Sequence, residues 1–588
     1  MFSKLASWLP LLTSLRSYNR QQAGRDLLAA LLVSLLLTPQ ALAYAQLAGL
    51  PPEAGLYASI LPLLAYALFG GSPGVAVAIG PVAILALMTA AALAPLAAPG
   101  TAAYMTAALS LTLLVGGILL LLAVLRLGFF ANFLSHPVIA GFVSGSALLI
   151  ACSQVRHLLG VKADGQNLLE LLPALYRQLP YSHGPTLLLG LGSLLLLLLL
   201  RGPLPWLLAR LRVPAAVGRW AARLAPLLVI GLAIALVMLF DLGAQGVRLV
   251  GRVPQALPQL LLPSLELELL KALLPSALLI ALVGFVESIS IAQSMAARTR
   301  HSVNPDRELL GQGVANLAAA FSGGLPVAAS FSRSAISLES GARTPLVGVF
   351  TALLMLLVLL GLSPLLQQLP QVVLAASIMV AVLSLVGLRG LWRTWRFSWQ
   401  DGAAQAAALF GVLLIGVEAG ILLGVGLSLL LFLWRTSRPH MAVVGQLPGS
   451  EHFRNVLRFA VRESPTVLSL RVDESLYFPN ARFLEERIAE LIASRPAVRD
   501  LVLMCSGVNL IDASALDSLL TIVERLRSAG VQLHLSEVKG PVMDQLKRSD
   551  FLQRFAGQVF VSQYQALLAL DPASCAALSS TLQPELTR

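Results

Sequence analysis

The stretch PVAASFSRSAISLESG, Pro326–Gly341, places an arginine among hydroxyl-bearing residues inside a chain that is otherwise strongly apolar. Of the 588 residues, 57% are hydrophobic and only 12% are charged, whereas soluble domains carry about 25% charged residues. Apolar runs such as LLLGLGSLLLLLLLRG (187–202) recur and, with their neighbours, reach the length of about 20 residues that crosses a bilayer core. We therefore interpret the chain as a polytopic α-helical membrane protein that contacts the lipid bilayer along most of its length.

Hydropathy predicts about fourteen spans, some of them short because the apolar pattern breaks. The predicted spans begin near Asp26, Pro52, Ala76, Ala102, Pro137, Pro185, Arg223, Leu273, Leu309, Ala328, Pro345, Val372, Ala403 and Gly420. Basic residues are concentrated in every second loop, for example Arg298 and Arg300 and, further along, Arg389 and Arg393. Since such loops stay in the cytoplasm, the pattern predicts an inner-membrane protein whose N-terminus and C-terminal segment are both cytoplasmic.

The net charge of +12 is explained by these loops, so we expect no nucleic-acid partner. The N-terminus carries basic residues without a small-residue cleavage pattern, and we expect no cleavable signal peptide. The three cysteines and seven histidines are scattered without ligand spacing. The sequence therefore predicts neither a metal site nor a bound cofactor.

The composition changes at about His440. From there, short β-rich runs such as TVLSLRV (466–472) and DLVLMC (500–505) alternate with amphipathic helical runs such as FLEERIAELIAS (483–494). Alternation of strands and helices predicts a small α/β domain. The predicted boundaries are an N-terminal segment at 1–25, a membrane domain at 26–436, the α/β domain at 437–570 and a tail at 571–588.

Polar residues in the membrane domain suggest an internal repeat. TPQALAYAQ, in the first predicted span, contains Gln40 and Tyr44, and GFVESISIAQ, in the eighth, contains Glu287, with an offset of 287 − 40 = 247. The short third and tenth spans give a similar offset from Val82 to Arg333, 333 − 82 = 251. Because an odd number of spans separates each pair, repeats at about 26–240 and 272–436 would be inverted. Matching interrupted segments in two halves point to a transporter binding site.

Arg333 fits a transporter binding site if the tenth span is a half-helix. Its N-terminus would present unpaired backbone N–H groups and the positive end of the helix dipole, and the third span would present another after Gly80 and Pro81. Serine hydroxyls and a guanidinium at such ends form an anion site. The alternative is that Arg333 pairs structurally with Glu287 or Glu339.

Glu287 is a second unusual residue in the apolar spans. A carboxylate in a low dielectric holds a proton readily, so Glu287 could load and release one, unless it forms a permanent ion pair with Arg333. Gln40 and Tyr44 lie one helical turn apart and would line one face, although lone polar residues in membrane helices also serve packing.

Together these segments resemble the SulP family of sulfate permeases and related anion transporters. The resemblance rests on TPQALAYAQLAGLPPEAGLYAS (38–59), AIGPVA (78–83), HPVIAGFVSGSALLI (136–150), GFVESISIAQSMA (284–296) and the segment 304–346 around SFSRSA and ESGARTPL. It implies a seven-plus-seven inverted repeat with a core domain that moves like an elevator against a gate domain. It also implies a cytoplasmic STAS domain, which matches the α/β segment, and a homodimer.

The resemblance also implies roles for particular residues. Substrate would contact Gln40 and Tyr44 from the first span, Val82 from the third, and Phe331, Ser332 and Arg333 from the tenth. Glu287 occupies the position of the proton-coupling acid of the family's symporters, although sodium-coupled members carry an acid nearby. These implications favour proton-coupled sulfate uptake, with bicarbonate or C4-dicarboxylate transport, sodium coupling, or an uncoupled channel or exchanger as alternatives.

The segment NLIDASALDSL (509–519) resembles the loop and helix start at which anti-sigma-factor antagonists are phosphorylated. Ser514 would then be a regulatory phosphorylation site, and the domain would bind a regulatory protein or a nucleotide. The alternative is that Asp512 or Ser514 caps the helix at Ala515. No catalytic role is expected elsewhere, because the serines around Arg333 have no histidine base nearby in the sequence.

Overall fold

The computed structural model describes residues 11, 18–70, 77–129, 135–163, 165–201, 210, 215–251, 254–342 and 344–575. The chain forms two compact units, residues 1–428 and 429–588. The helices that begin in the first unit are α1 (Arg20–Leu47), α2 (Pro52–Tyr57), α3 (Leu61–Phe69), α4 (Ala83–Leu93), α5 (Ala102–Val124), α6 (His136–Leu159), α7 (Leu168–Gln178), α8 (Gly184–Arg201), α9 (Ala215–Phe240), α10 (Leu267–Thr299), α11 (Pro305–Phe321), α12 (Phe331–Glu339), α13 (Leu346–Leu357), α14 (Ser363–Gln367), α15 (Gln371–Leu383), α16 (Leu388–Phe397), α17 (Trp399–Leu414) and α18 (Val417–Ser437). Two short strands, β1 (Ile79–Gly80) and β2 (Ala328–Ala329), precede α4 and α12.

The helices confirm the polytopic architecture. Within the described residues, eight helical segments are long and apolar enough to cross a membrane, and 83–93, 184–200 and 225–240 are shorter apolar helices. Helices also begin near the other predicted starts, at Pro305, Phe331 and Trp399. The largest departures are α4, which begins after β1 at Ala83, and α9, which begins at Ala215. Helices α7 and α16 were not predicted, because they lie in segments interpreted as loops.

Close helix packing in the first unit depends on glycine. A Cβ atom added at Gly311 of α11 would lie 2.2 Å from the Cα of Gly70, at the end of α3. One added at Gly313 would lie 2.8 Å from Leu120 of α5. Small residues at helix contacts let backbones approach, which is how membrane helices gain van der Waals energy without a hydrophobic driving force. Helix α11 is therefore held tightly between α3 and α5.

The start of α11 shows how the sequence fixes this helix. The Asn304 side chain accepts hydrogen bonds from the backbone N–H groups of Asp306 and Arg307, at 2.9 and 3.3 Å. Pro305 follows as the first helical residue, where its missing N–H costs nothing. Asp306 also accepts a hydrogen bond from the Gly128 N–H at 2.9 Å. The sequence NPD thus starts the helix and ties it to the segment that follows α5.

The second unit is the expected α/β domain. Its strands are β3 (Met441–Gln446), β4 (Phe453–Asn455), β5 (Val467–Val472), β6 (Asp500–Met504), β7 (Gln532–Ser536) and β8 (Val559–Phe560), and its helices are α19 (Phe478–Ala493), α20 (Ala513–Ser528), α21 (Gly540–Lys547), α22 (Phe551–Arg554) and α23 (Gln563–Leu570). The sheet order is β4-β3-β5-β6-β7-β8. Strands β5 to β8 are parallel, and β3 is antiparallel to both β4 and β5.

The core of this unit lies between the parallel strands and the helices. Leu470 of β5, Leu503 of β6 and Leu535 of β7 pack with Leu484 of α19 and Leu519 of α20. Parallel sheets of this kind are covered by helices, which explains the near-continuous apolar runs in the strands. Within the predicted tail at 571–588, Pro572–Ser574 form a short 3₁₀ helix. The rest of the predicted tail, 576–588, lies outside the described residues.

Candidate functional site

The two half-helices start from a pair of strands. Strands β1 and β2 are antiparallel, with Ile79 opposite Ala329 and Gly80 opposite Ala328. The separations, 329 − 79 = 250 and 328 − 80 = 248, fall between the two repeat offsets found in the sequence. An antiparallel pair has a local two-fold axis, so equivalent residues of the two repeats meet here in opposite directions. This pairing supports the predicted inversion.

Hydrogen bonds around Ala78 fix the crossing. The Ala78 N–H donates to the Ser334 Oγ at 2.9 Å, and the Ala78 carbonyl accepts from the Ser330 N–H at 3.0 Å. From the neighbouring α10, the Ser288 Oγ accepts from the Ala329 N–H at 3.0 Å. The first turn of α12 is thereby held against the segment that leads into α4.

Neither half-helix has a side-chain cap. Val82 is the N-cap of α4 and Ser330 is the N-cap of α12, and neither of these two side chains accepts a hydrogen bond from the first turn of its helix. Helix α4 has 11 residues and α12 has 9. Backbone N–H groups at such ends carry a partial positive charge and bind anions well. The paired strands bring both ends to the same region of the bundle.

Arg333 lies at this point and is fully buried, with 0% of its surface exposed. Its Nη1 donates to the Gln40 Oε1 at 3.1 Å, whereas Nε and Nη2 have no hydrogen-bond partner among the described residues. Nε and Nη2 lie on one edge of the guanidinium plane, which is the edge that grips an oxyanion with two parallel bonds. One edge is thus fixed by protein and the other is left to a ligand.

Gly80 makes room for this guanidinium. Its φ angle is +148°, in the region that favours glycine, and a Cβ atom there would lie 3.3 Å from the Arg333 Nη2. A side chain at this position would be strained and would also crowd the arginine. The glycine is therefore required both by the backbone of β1 and by the position of Arg333.

Glu287 lies near Arg333 without forming an ion pair with it. The two groups are close enough to interact electrostatically, but no ion pair joins them in the described part of the chain. The Glu287 Oε2 is buried and has no hydrogen-bond partner among the described residues. The permanent ion pair, the alternative to a coupling role, is therefore absent from this conformation, as is a pair between Arg333 and Glu339.

The remaining predicted side chains differ in their exposure. Phe331 is 47% exposed and Ser332 is exposed, although both lie in the first turn of α12. Gln40 and Tyr44 line a small cavity of about 20 Å³ together with Ser377 of α15, which is about the space for one water molecule. Val82 is buried at the start of α4. Of the predicted residues, Gln40, Tyr44 and Glu287 thus lie close to Arg333, whereas Val82, Phe331 and Ser332 lie at the starts of the two half-helices.

Comparisons with known proteins identify the family of the chain. The profile of the Sulfate permease family matches residues 24–408, and the profile of the STAS domain matches residues 458–566. The chain belongs to the sulfate permease family. Its members are transporters, and the protein is an anion transporter with a C-terminal STAS domain rather than an enzyme.

Two curated relatives cover nearly the whole sulfate permease chain. "Probable sulfate transporter MT1781" of Mycobacterium tuberculosis is 34% identical over 93% of this chain and 95% of its own length. "Probable sulfate transporter 4.2" of Arabidopsis thaliana is 32% identical over 95% of this chain and 83% of its own length. The solved structure of the murine Slc26a9 anion transporter in the inward-facing state aligns with a TM-score of 0.86 at 21% identity, covering 97% of this chain and 95% of that one.

Several residues of the permease site were missed from the sequence. The Asn316 side chain accepts from the Val327 N–H at 2.9 Å and donates to the Val327 carbonyl at 3.0 Å. It thereby satisfies both backbone groups of Val327, the residue that precedes β2. Ser377 carries a buried Oγ without a hydrogen-bond partner among the described residues. Single hydroxyls and amides in apolar spans give no distinctive sequence signal, so only the fold reveals these roles.

The STAS domain of the permease presents Ser514 at the start of α20. Asp512 is the N-cap, and its Oδ1 accepts from the Ala515 N–H at 2.8 Å while its Oδ2 accepts from the Phe478 N–H at 2.8 Å. Asp512 therefore caps α20, as the capping alternative predicted. It also accepts a hydrogen bond from the first backbone N–H group of α19. Ser514 is exposed. Across both units, the described residues contain no group of three or more His, Cys, Asp or Glu side chains placed to hold a metal ion.

Proposed function

We propose that this permease takes up sulfate together with protons and works by an elevator-type alternating-access movement. The observation that carries the proposal is the buried guanidinium of Arg333, whose Nε and Nη2 have no partner among the described residues. A tetrahedral oxyanion fits this free edge and the two uncapped helix ends at once. The relatives whose names say sulfate transporter support sulfate as the substrate.

The roles of the other residues follow from their positions. Gln40 would keep the guanidinium in its plane, because its Oε1 already accepts from Nη1. The backbone N–H groups that begin at Ala83 and Phe331 would meet the sulfate oxygens. Tyr44, Val82, Phe331 and Ser332 would form the wall of the site.

Glu287 would couple transport to protons through charge balance. Sulfate carries two negative charges and Arg333 supplies one positive charge, so the loaded site retains one excess negative charge. An ionised Glu287 would add a second in a region of low dielectric, which is strongly unfavourable. Sulfate binding therefore favours the protonated acid, and release of the anion favours return of the proton.

The test is uptake of labelled sulfate by proteoliposomes, with and without an inward proton gradient, challenged by unlabelled bicarbonate and fumarate. Accumulation that needs the gradient and is blocked only by sulfate-like anions would support the proposal. Uptake of bicarbonate or fumarate in place of sulfate would move the chain to the alternative substrates while keeping the anion site. Dependence on a sodium gradient would change the coupling ion, and gradient-independent anion currents would favour a channel or exchanger.

We propose the same assembly and placement as the sequence predicts. These are a homodimer in the inner membrane, with the N-terminus and the STAS domain in the cytoplasm. The STAS domain would be regulated by phosphorylation of Ser514 or by a bound regulatory protein or nucleotide, which is supported by the exposure of this hydroxyl. Phosphopeptide mass spectrometry of protein from native cells tests the modification, and a Ser514 that stays unmodified under all growth conditions would reject it.

A further inference from the structure

Helix α16 (Leu388–Phe397) lies at the surface of the helix bundle. It follows α15, which ends at Leu383, and precedes α17, which begins at Trp399. The sequence predicts spans on both sides of α16, beginning near Val372 and Ala403, so α16 would lie along the membrane face where the first of them ends. None of its residues is buried. It nevertheless packs closely against α17, because the Trp395 ring lies over Gly402. A Cβ atom added at Gly402 would be 2.7 Å from this ring.

The ten residues of α16 separate into two adjoining stripes. Leu388, Leu391, Trp392 and Trp395 follow helical spacing and form an apolar stripe. The three arginines Arg389, Arg393 and Arg396 follow the same spacing and form a basic stripe beside it. An amphipathic helix with tryptophan on one face and arginine on another is typical of helices that lie in a membrane interface.

The basic stripe is not neutralised by the protein. Within the part of the chain that the structure describes, none of its three arginines forms an ion pair. Arginines on the STAS helix α19 behave differently, since Arg482 pairs with Glu486 at 3.0 Å and Arg487 pairs with Glu490 at 2.9 Å. A stripe of three uncompensated charges beside the membrane creates a positive potential at headgroup level.

We propose that α16 binds the phosphates of anionic phospholipids through the basic stripe while its apolar stripe enters the headgroup–acyl boundary. The partner is a lipid rather than a soluble anion or an acidic protein, because the charges adjoin exposed apolar side chains at the ends of two spans. Trp392, which is 66% exposed, marks the depth at which the lipid chains begin. This surface is separate from the Arg333 site and does not depend on the proposed sulfate transport.

The experiment measures which lipid surrounds Trp392 in the full-length protein. The protein is reconstituted into vesicles of phosphatidylcholine with a minority of phosphatidylglycerol, with bromine on the acyl chains of one lipid or the other. Bromine quenches nearby tryptophan, and the Trp392→Phe variant is subtracted because the chain contains seven tryptophans. We expect phosphatidylglycerol to be enriched at Trp392 by up to about fivefold for each arginine.

The variant Arg389→Gln/Arg393→Gln/Arg396→Gln should remove this enrichment. The control Arg482→Gln/Arg487→Gln/Arg525→Gln removes the same charge from the STAS domain and should retain it. High salt should reduce the enrichment in the unmodified protein, because it screens exposed charges. Equal quenching by either brominated lipid, enrichment that persists in the α16 variant, or enrichment unaffected by salt would each overturn the proposal. The salt series keeps the test decisive even if the α16 variant does not fold.

Discussion

The half-helices α4 and α12 occupy equivalent places in the two repeats but carry different chemistry. Helix α4 begins with Ala83, Ile84 and Leu85, which are all buried and apolar, whereas α12 begins with Phe331, Ser332 and Arg333. Gln40 and Glu287, which the repeat offset of 247 residues relates, show the same contrast between a neutral and an ionisable side chain. Both repeats provide a backbone N-terminus, but the arginine and the carboxyl group of the predicted site come from the second repeat alone. In the proposed anion site, both repeats would therefore contribute backbone N–H groups, and the charged side chains would come from the second repeat.

The largest effect is expected when the positive charge of Arg333 is removed from α12, because the two half-helices then differ least. Arg333→Ala should weaken sulfate binding about 100-fold or more, since hydrogen bonds from a buried charge are lost. Arg333→Lys should recover part of this loss, because it restores the charge without the two-pronged edge. Calorimetric titration with sulfate measures both affinities.

The fold of the Arg333→Ala protein should survive, because the substitution removes a buried charge that has no counter-ion at ion-pair distance among the described residues. Thermal unfolding without sulfate checks this. A variant that folds and still binds sulfate normally would place the anion elsewhere.

The second test compares two buried carboxylates. Glu287→Gln should reduce proton-driven accumulation of sulfate to equilibrium while exchange continues, because the proton carrier is lost. Glu308 is the matched control: it is also buried, it accepts a hydrogen bond from the Tyr66 hydroxyl at 2.6 Å, and its Oε1 has no partner among the described residues. Glu308→Gln should keep the coupling. If accumulation in proteoliposomes fails only in the Glu308 variant, the proton is carried by Glu308 on α11, and the coupling role of Glu287 on α10 is rejected.

The third test changes the first repeat where it touches the second. Gly80→Ala should lower sulfate affinity about tenfold and stability by about 1–3 kcal/mol, because it strains β1 and crowds the Arg333 Nη2. Gly117→Ala is the control, since a Cβ at Gly117 would meet nothing within 4 Å, and it should leave affinity unchanged. Sulfate titration and thermal unfolding distinguish the two glycines. Equal effects would show that Gly80 has no particular relation to the site.

The smallest effect is expected at the apolar half-helix itself. Val82→Ser would place a hydroxyl where it can cap α4, raising stability by about 1 kcal/mol. The same hydroxyl would compete with sulfate for the N–H groups, so affinity should fall a few-fold. Val82→Ala removes a similar volume without a cap and should not show this opposite pair of changes. If serine and alanine behave alike, the α4 terminus does not contact the anion.

The sequence predicted the parts of this protein that have strong local patterns. The spans, the α/β domain and the half-helix at Arg333 were predicted because apolar length, alternation and an out-of-place charge are visible in a single chain. The sequence aligned Val82 with Arg333, whereas in the structure the two N-caps are Val82 and Ser330, so the predicted alignment is shifted by three residues.

The contacts that hold the site together were not predictable. These contacts join residues that are distant in sequence or that have weak local signals. They are the hydrogen bonds of Ala78 with Ser330 and Ser334, those of Asn316 with Val327, and the approach of Gly80 to Arg333. The capping of α20 by Asp512 was foreseen, because N-caps are local. The second hydrogen bond of Asp512, to the Phe478 N–H, was not.

The pairing of β1 with β2 also has a consequence for biosynthesis. Ile79 and Ala329 are 329 − 79 = 250 residues apart, so at about 5–20 residues per second the ribosome needs roughly 12–50 s to supply the second strand. Through that interval the β1 backbone lacks its final partner, and an unsatisfied peptide group in hydrocarbon costs several kcal/mol. We therefore expect the insertion machinery or water to satisfy the backbone groups of β1 until the second repeat has been synthesised.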